Sequence, residues 1–132
     1  MFTTSVHVDP GAGWFPHHVG FVDEKGRDAG HGANLNQPLA PGSGDQAWLS
    51  AVKRAADAVT AFDATALVIA LGVDAAADDP ESPLQVTAEG YRQAGNVLAG
   101  LGLPTVVVQE GGYHLPTLGQ LVGSALDGFG SG

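Results

Sequence analysis

Three short apolar runs, Thr3 to Val8, Ala66 to Leu71 and Thr105 to Gln109, alternate with three longer segments of helical period. Each run is rich in β-branched residues and is soon followed by Gly, Pro or Asp, the pattern of a buried strand. Their near-continuous apolar character suits parallel strands covered on both faces. The first helical segment, Asp45 to Phe62, lines up Trp48, Val52, Ala55, Val59 and Phe62 in one stripe, with Ser43 and Gln46 placed for a capping box. The second, Ala88 to Leu101, has Thr87 as N-cap, Tyr91, Ala94, Leu98 and Leu101 on one face, and Gly102 just past its end. The third, Pro116 to Asp127, opens on Pro, turns Leu118, Leu121, Val122, Ala125 and Phe129 inward, and has Gly128 as its stop signal. A weaker extended segment, Ala33 to Leu39, lies between Gly-rich loops and reads as an edge strand. The alternation predicts one α/β domain over residues 1–132, a three-layer sandwich with a mainly parallel sheet and right-handed crossovers.

Composition narrows the chemistry. With 14 acidic residues against 5 basic ones, the formal charge of -9 repels phosphate backbones and anionic lipid surfaces. Nucleic acid and membrane partners are therefore not expected, whereas a cationic small molecule would be attracted. Acidic surfaces also serve plain solubility. No apolar run approaches the roughly 18 residues of a spanning helix, and no basic n-region follows Met1, so a soluble cytoplasmic protein is expected. Cysteine is absent, so any metal must be held by His and carboxylate side chains.

Ligand sites in open parallel sheets gather at the carboxyl ends of the strands. His7-Val8-Asp9 follows the first strand, Gly72-Val73-Asp74 the second, and Glu110-Gly111-Gly112-Tyr113-His114 the third. Asp74 is placed either to ligate a metal from a fixed backbone or simply to cap the next turn. His7 and Asp9 have ligand-compatible spacing, although a lone His beside a strand is more often satisfied structurally. His17-His18 forms a tandem pair, and His31 and His114 have no evident partner.

Two segments carry a family resemblance. Leu71-Gly72-Val73-Asp74 followed by Asp78-Asp79-Pro80, and Val106-Val107-Val108-Gln109-Glu110-Gly111-Gly112-Tyr113 with its flanking Leu103-Pro104-Thr105, resemble the histone deacetylase and acetylpolyamine amidohydrolase family. The opening Ser5-Val6-His7-Val8-Asp9-Pro10 with Trp14-Phe15-Pro16 is similar to another of its strands. The resemblance implies an arginase/deacetylase-like fold and zinc-dependent hydrolysis of N-acetyl amides. It gives Asp74 the role of a zinc ligand and Tyr113 that of hydrogen-bond donor to the developing oxyanion. Gly111 and Gly112 would free the backbone to bring the phenol over the site, and Phe15 would line the tunnel for an acyl-lysine or acyl-polyamine chain.

The departures from the family matter as much. The resemblance spans about Phe2 to Phe129, yet corresponds to well under half of a complete deacetylase, its C-terminal portion. The Asp-x-His pair that completes the family's metal site and the upstream tandem His that moves protons have no counterpart here. His7 and Asp9 are the candidate substitute ligands, and His17-His18 matches a different family segment. A truncated, inactive amidohydrolase with zinc absent or weakly held is therefore expected. The alternatives are a non-catalytic interaction module and one fragment of a split enzyme. In the family the absent strand lies between those matching Ala66 to Leu71 and Thr3 to Val8, so a gap in the sheet is expected. Either those two strands close up, or a second copy covers them in a homo-oligomer, the favoured outcome.

Overall fold

The computed structural model describes residues 1–130. In chain order the elements are β1 (Thr3–Val8), β2 (Asn34–Leu39), α1 (Asp45–Ala61), β3 (Leu67–Leu71), α2 (Ala88–Ala99), β4 (Thr105–Gln109) and α3 (Leu115–Gly130). The architecture is α/β with parallel strands. β1 pairs with β2 from Thr3 opposite Asn34 to Val8 opposite Leu39. β3 pairs with β4 from Leu67 opposite Thr105 to Leu71 opposite Gln109. No ladder joins β1 to β3 among the described residues, so the two pairs stay apart as separate two-stranded sheets. Among the described residues β2 pairs with β1 alone, as its edge reading requires.

The helices follow one another from the β1–β2 pair onward. α1 packs against β1, β2 and α2, and α2 packs against α3. Beneath them lies one core of Val8, Leu39, Ala51, Val73, Leu84, Val86, Tyr91, Leu121 and Ala125, with Trp48 and Leu71 packed against it. The opposite side is covered unevenly. On β1, His7 meets Gly20 of the long loop before β2. On the other pair, Val68 is 72% exposed, Val106 59% and Val108 48%. Val68 lies opposite Val106 and Ala70 opposite Val108, so these residues share one bare apolar face.

Several local expectations are corrected. α1 has Gly44 as N-cap with no side-chain cap bond, so the Ser43–Gln46 capping box does not form. The backbone there is committed elsewhere: Gln85 N donates to Ser43 O at 2.8 Å, and Gly44 bridges Gln85. Thr87 does cap α2, accepting from Gly90 N at 3.2 Å. Gly128 does not stop α3, which runs on to Gly130. Gly128 is a point of helix contact instead: a Cβ built there would run into the carbonyl oxygen of Arg92, and one on Gly95 into that of Ala125. Backbone approach this close requires glycine on both helices. None of the described helices is long and apolar enough to cross a membrane.

This crossing makes a quantitative expectation. Gly95→Ala and Gly128→Ala should each lower unfolding stability by about 1–3 kcal/mol, the usual cost of overpacking. Denaturant midpoints matching those of the unsubstituted chain would contradict a tight α2–α3 contact.

Candidate functional site

The carboxyl ends of β3 and β4 continue into each other's loops. Glu110 N donates to Leu71 O at 2.9 Å, and Val73 N donates to Gly111 O at 2.8 Å. The backbone before Asp74 is thereby laid against the Gly-Gly-Tyr segment. Contact is close enough to exclude side chains: a Cβ on Gly111 would lie 2.8 Å from the Asp74 carboxylate, and one on Gly72 2.7 Å from Asp74 Oδ1. Gly112 has φ 147, and a Cβ there would meet Val73 Cγ2 at 2.6 Å and Leu118 Cδ1 at 2.9 Å. Only glycine turns the chain here, and Tyr113 emerges 56% exposed beside Asp74's loop.

Asp74 is partly buried, and burial raises its carboxyl above the ordinary 3.8. Its own backbone hydrogen bond opposes the rise, while the negative charges of Asp79 and Glu110 add to it. Between β1 and β3 opens a cleft of about 1250 Å³ whose walls include Asp74, Gly111, Tyr113, His7 and Phe15. Phe15 stands 77% exposed on the loop after β1.

The other candidates are engaged locally. His7 Nε2 donates to Gly20 O at 2.9 Å, and its Nδ1 lies 2.7 Å from Ser5 Oγ. Both ring nitrogens are used, leaving no lone pair for a metal. Asp9 Oδ1 accepts from Gly11 N at 2.8 Å and caps the turn Pro10–Ala12. The His17 and His18 rings lie 6.2 Å apart on the Phe15 loop. His114 Nδ1 lies 2.8 Å from Thr117 Oγ1 at the start of α3. Among the described residues no three His, Cys, Asp or Glu side chains gather as a metal-binding group. Asp74 is one carboxylate donor, and a catalytic zinc normally needs about three protein ligands, so these residues do not complete a zinc site.

One residue of this region was not assigned a role from sequence. Asp79 is 7% exposed, and its carboxylate accepts from the backbone of Glu81, Tyr113 and His114. The only sequence signal for it is its place in Asp78-Asp79-Pro80.

Residues 1–129 match the model of the histone deacetylase domain. The chain belongs to the histone deacetylase family. It is 41% identical over 127 residues to the acetylpolyamine amidohydrolase of Burkholderia pseudomallei (strain 1710b), covering 96% of this chain and 37% of that protein. It is 38% identical to the acetylpolyamine amidohydrolase of Mycoplana ramosa, over 97% of this chain and 37% of that one. A crystal structure of acetylpolyamine aminohydrolase from Burkholderia pseudomallei superposes with TM-score 0.94 at 40% identity, over 98% of this chain and 38% of that one. The chain thus spans little more than a third of the length of these family members, and its fold is a partial fragment of the deacetylase fold.

The raised carboxyl has a consequence for stability. Between pH 3.8 and the higher folded value, native Asp74 binds more protons than unfolded Asp74, so stability falls as pH rises through that window. Asp74→Asn should therefore melt at a higher temperature than the unsubstituted chain at pH 7. The difference should shrink as the pH falls below 3.8. A difference independent of pH would remove burial as the cause.

Proposed function

We propose that this chain carries part of an amidohydrolase site for acetylated amines, an acetylated polyamine or acetylated lysine side chain. Tyr113 donates its phenolic hydrogen to the amide oxygen as that oxygen gains charge, which lowers the barrier to addition at the carbonyl carbon. Asp74 would be one ligand of a zinc ion, with the remaining ligands and the general base supplied by polypeptide outside these residues. Phe15 offers an apolar wall to the methylene chain. Gly111 and Gly112 let the Tyr113 backbone approach Asp74. The formal charge of -9 favours a cationic polyamine over an anionic substrate.

The observation that carries this reading is the Val73–Gly111 backbone bond, which ties the Asp74 loop to the Tyr113 loop at the rim of the cleft that Phe15 also borders. Alone, the chain is expected to show no turnover of acetylated polyamine or acetyl-lysine peptide and only weak zinc uptake. Turnover by the purified chain that both a chelator and Tyr113→Phe abolish would overturn the incompleteness of the site. It would not overturn the role of Tyr113.

A second reading, an association module, is favoured by different observations. The facing edges of β1 and β3 are unpaired with each other, and the Val68, Val106, Val108 face is bare. Among the described residues, Thr4 Oγ1 and Trp48 Nε1 are buried without a hydrogen-bond partner, and both residues line the cleft. Open edges and orphaned donors are costly states that another polypeptide surface relieves. We therefore propose that the chain self-associates through this side. Sedimentation at micromolar concentration should find a dimer or larger, and a well-folded monomer would exclude it.

A further inference from the structure

We infer that Asp79 is a positioning residue for Tyr113: its carboxylate fixes where the phenol stands relative to Asp74. The inference rests on Tyr113 as the oxyanion donor of the proposed site. Asp79 Oδ2 accepts from Tyr113 N at 2.7 Å and from His114 N at 3.2 Å. Asp79 Oδ1 accepts from Glu81 N at 2.9 Å, and Asp79 N donates to Ala76 O at 3.0 Å. The side chain is thus seated in the same turn that begins at Asp74, and from there it reaches across 34 residues to the backbone of the reacting residue.

Other attachments of the segment lie to either side of Tyr113: before it at Gly111, and after it at His114, whose carbonyl oxygen accepts from Thr117 N and Leu118 N. Val73 N holds Gly111 O, and the next residue, Gly112, sits at φ 147, where glycine has wide conformational freedom. A backbone bond before a glycine does not fix the residue after it. The Asp79 bonds come immediately after that glycine and stop the rotation it would permit. A carboxylate suits the task because it is acceptor-only and all three of its partners are N–H donors. An amide in its place turns an N–H₂ group towards one of those donors, leaving two donors facing each other without a bond.

Consequences follow for the phenol. With Tyr113 N tied to the Asp74 turn, any shift of that turn carries Tyr113 with it, and the two groups keep their spacing. Without the tie, Tyr113 is free to turn between Gly112 and His114, which α3 still holds, while the core below remains packed.

The experiment reads Tyr113 directly and needs no turnover. The chain contains two tyrosines, buried Tyr91 and half-exposed Tyr113, so fluorotyrosine labelling gives one fluorine resonance for each. In the unsubstituted chain, a coupling across the hydrogen bond should be seen between Tyr113 ¹⁵N and Asp79 ¹³Cγ. In Asp79→Ala, which removes the acceptor altogether, the Tyr113 fluorine signal should move towards that of a free tyrosine by more than the Tyr91 signal, which feels only the lost Asp79 charge. Amide exchange at Tyr113 and His114 should quicken about ten- to hundredfold, the loss of a charge-assisted bond, with the Val73 and Leu84 amides unchanged. Absence of the trans-hydrogen-bond coupling overturns the inference even if the variant fails to fold. Equal movement of both tyrosine signals, or of neither, also overturns it, because general destabilisation would move both. Tyr113→Phe serves as the separate control. In a preparation that turns over an acetylated amine, a Tyr113→Phe variant as active as the unsubstituted protein would defeat the catalytic reading of the phenol. The bond from Asp79 would then stand or fall on the spectra alone.

Discussion

The break in the sheet governs the rest of this molecule. Strands hold their neighbours through backbone ladders, yet none runs between β1 and β3, so that bond is missing where an α/β sheet ordinarily has its centre. Connection between the two strand pairs falls to the helical layer instead. α1 sits on β1 and β2, α2 packs on α1, and α3 packs on α2. The core under them draws Val8 and Leu39 from one pair and Val73 and Leu71 from beside the other. Two features make this splint rigid. Gly95 and Gly128 bring α2 and α3 into backbone contact, and Asp45 at the start of α1 accepts from Thr87 N and Thr87 Oγ1 at the start of α2. The layout keeps a superposition of TM-score 0.94 on a chain of which it covers 38%. The two halves therefore hold the spacing they have in the longer protein.

How much of this could be read from sequence depends on how local the deciding contact is. Strand runs and helical stripes are set by alternating and 3.6-residue periods, so β1, β3, β4 and the helices fall where those periods put them. That Asp74 and Tyr113 come to one edge was legible for a related reason, since strand ends gather at one edge of a parallel sheet whatever packs around them, whereas the roles given them rest on the family resemblance. Caps and stops were less legible. Ser43 had the residue type for a cap, but Gln85, 42 residues on, had already engaged its backbone. Gly128 had the residue type for a stop, but the Arg92 carbonyl needed that glycine inside the helix. His7 and Asp9 show the same limit at the site. Their spacing suits a metal, yet Gly20, Ser5 and Gly11 satisfy them first, and no local pattern announces those partners. The bare Val68, Val106, Val108 face is a different matter: an apolar strand reads as buried whether or not its own chain supplies the cover.

The two aspartates five residues apart show how one turn divides its labour. Asp79 spends both oxygens on three backbone N–H groups, and a carboxylate so saturated has little left to offer a ligand. Asp74 lies partly buried with only its own backbone bond to offset that burial, and Asp79 and Glu110 press further negative charge upon it. An under-compensated carboxylate is one that gains when a cation or a proton arrives, since either removes the penalty that burial and like charge impose. Asp79 contributes to that penalty through its charge while fixing the loop that bears Tyr113. The turn therefore sets up both halves of the candidate site from one stretch of chain: the residue with unfilled capacity faces the cleft, and the residue with filled capacity holds its neighbour in place. Exchanging the two duties would leave three backbone donors without their acceptor and the cleft lined by a group already satisfied, which is why neither aspartate is equivalent to the other despite their shared side chain.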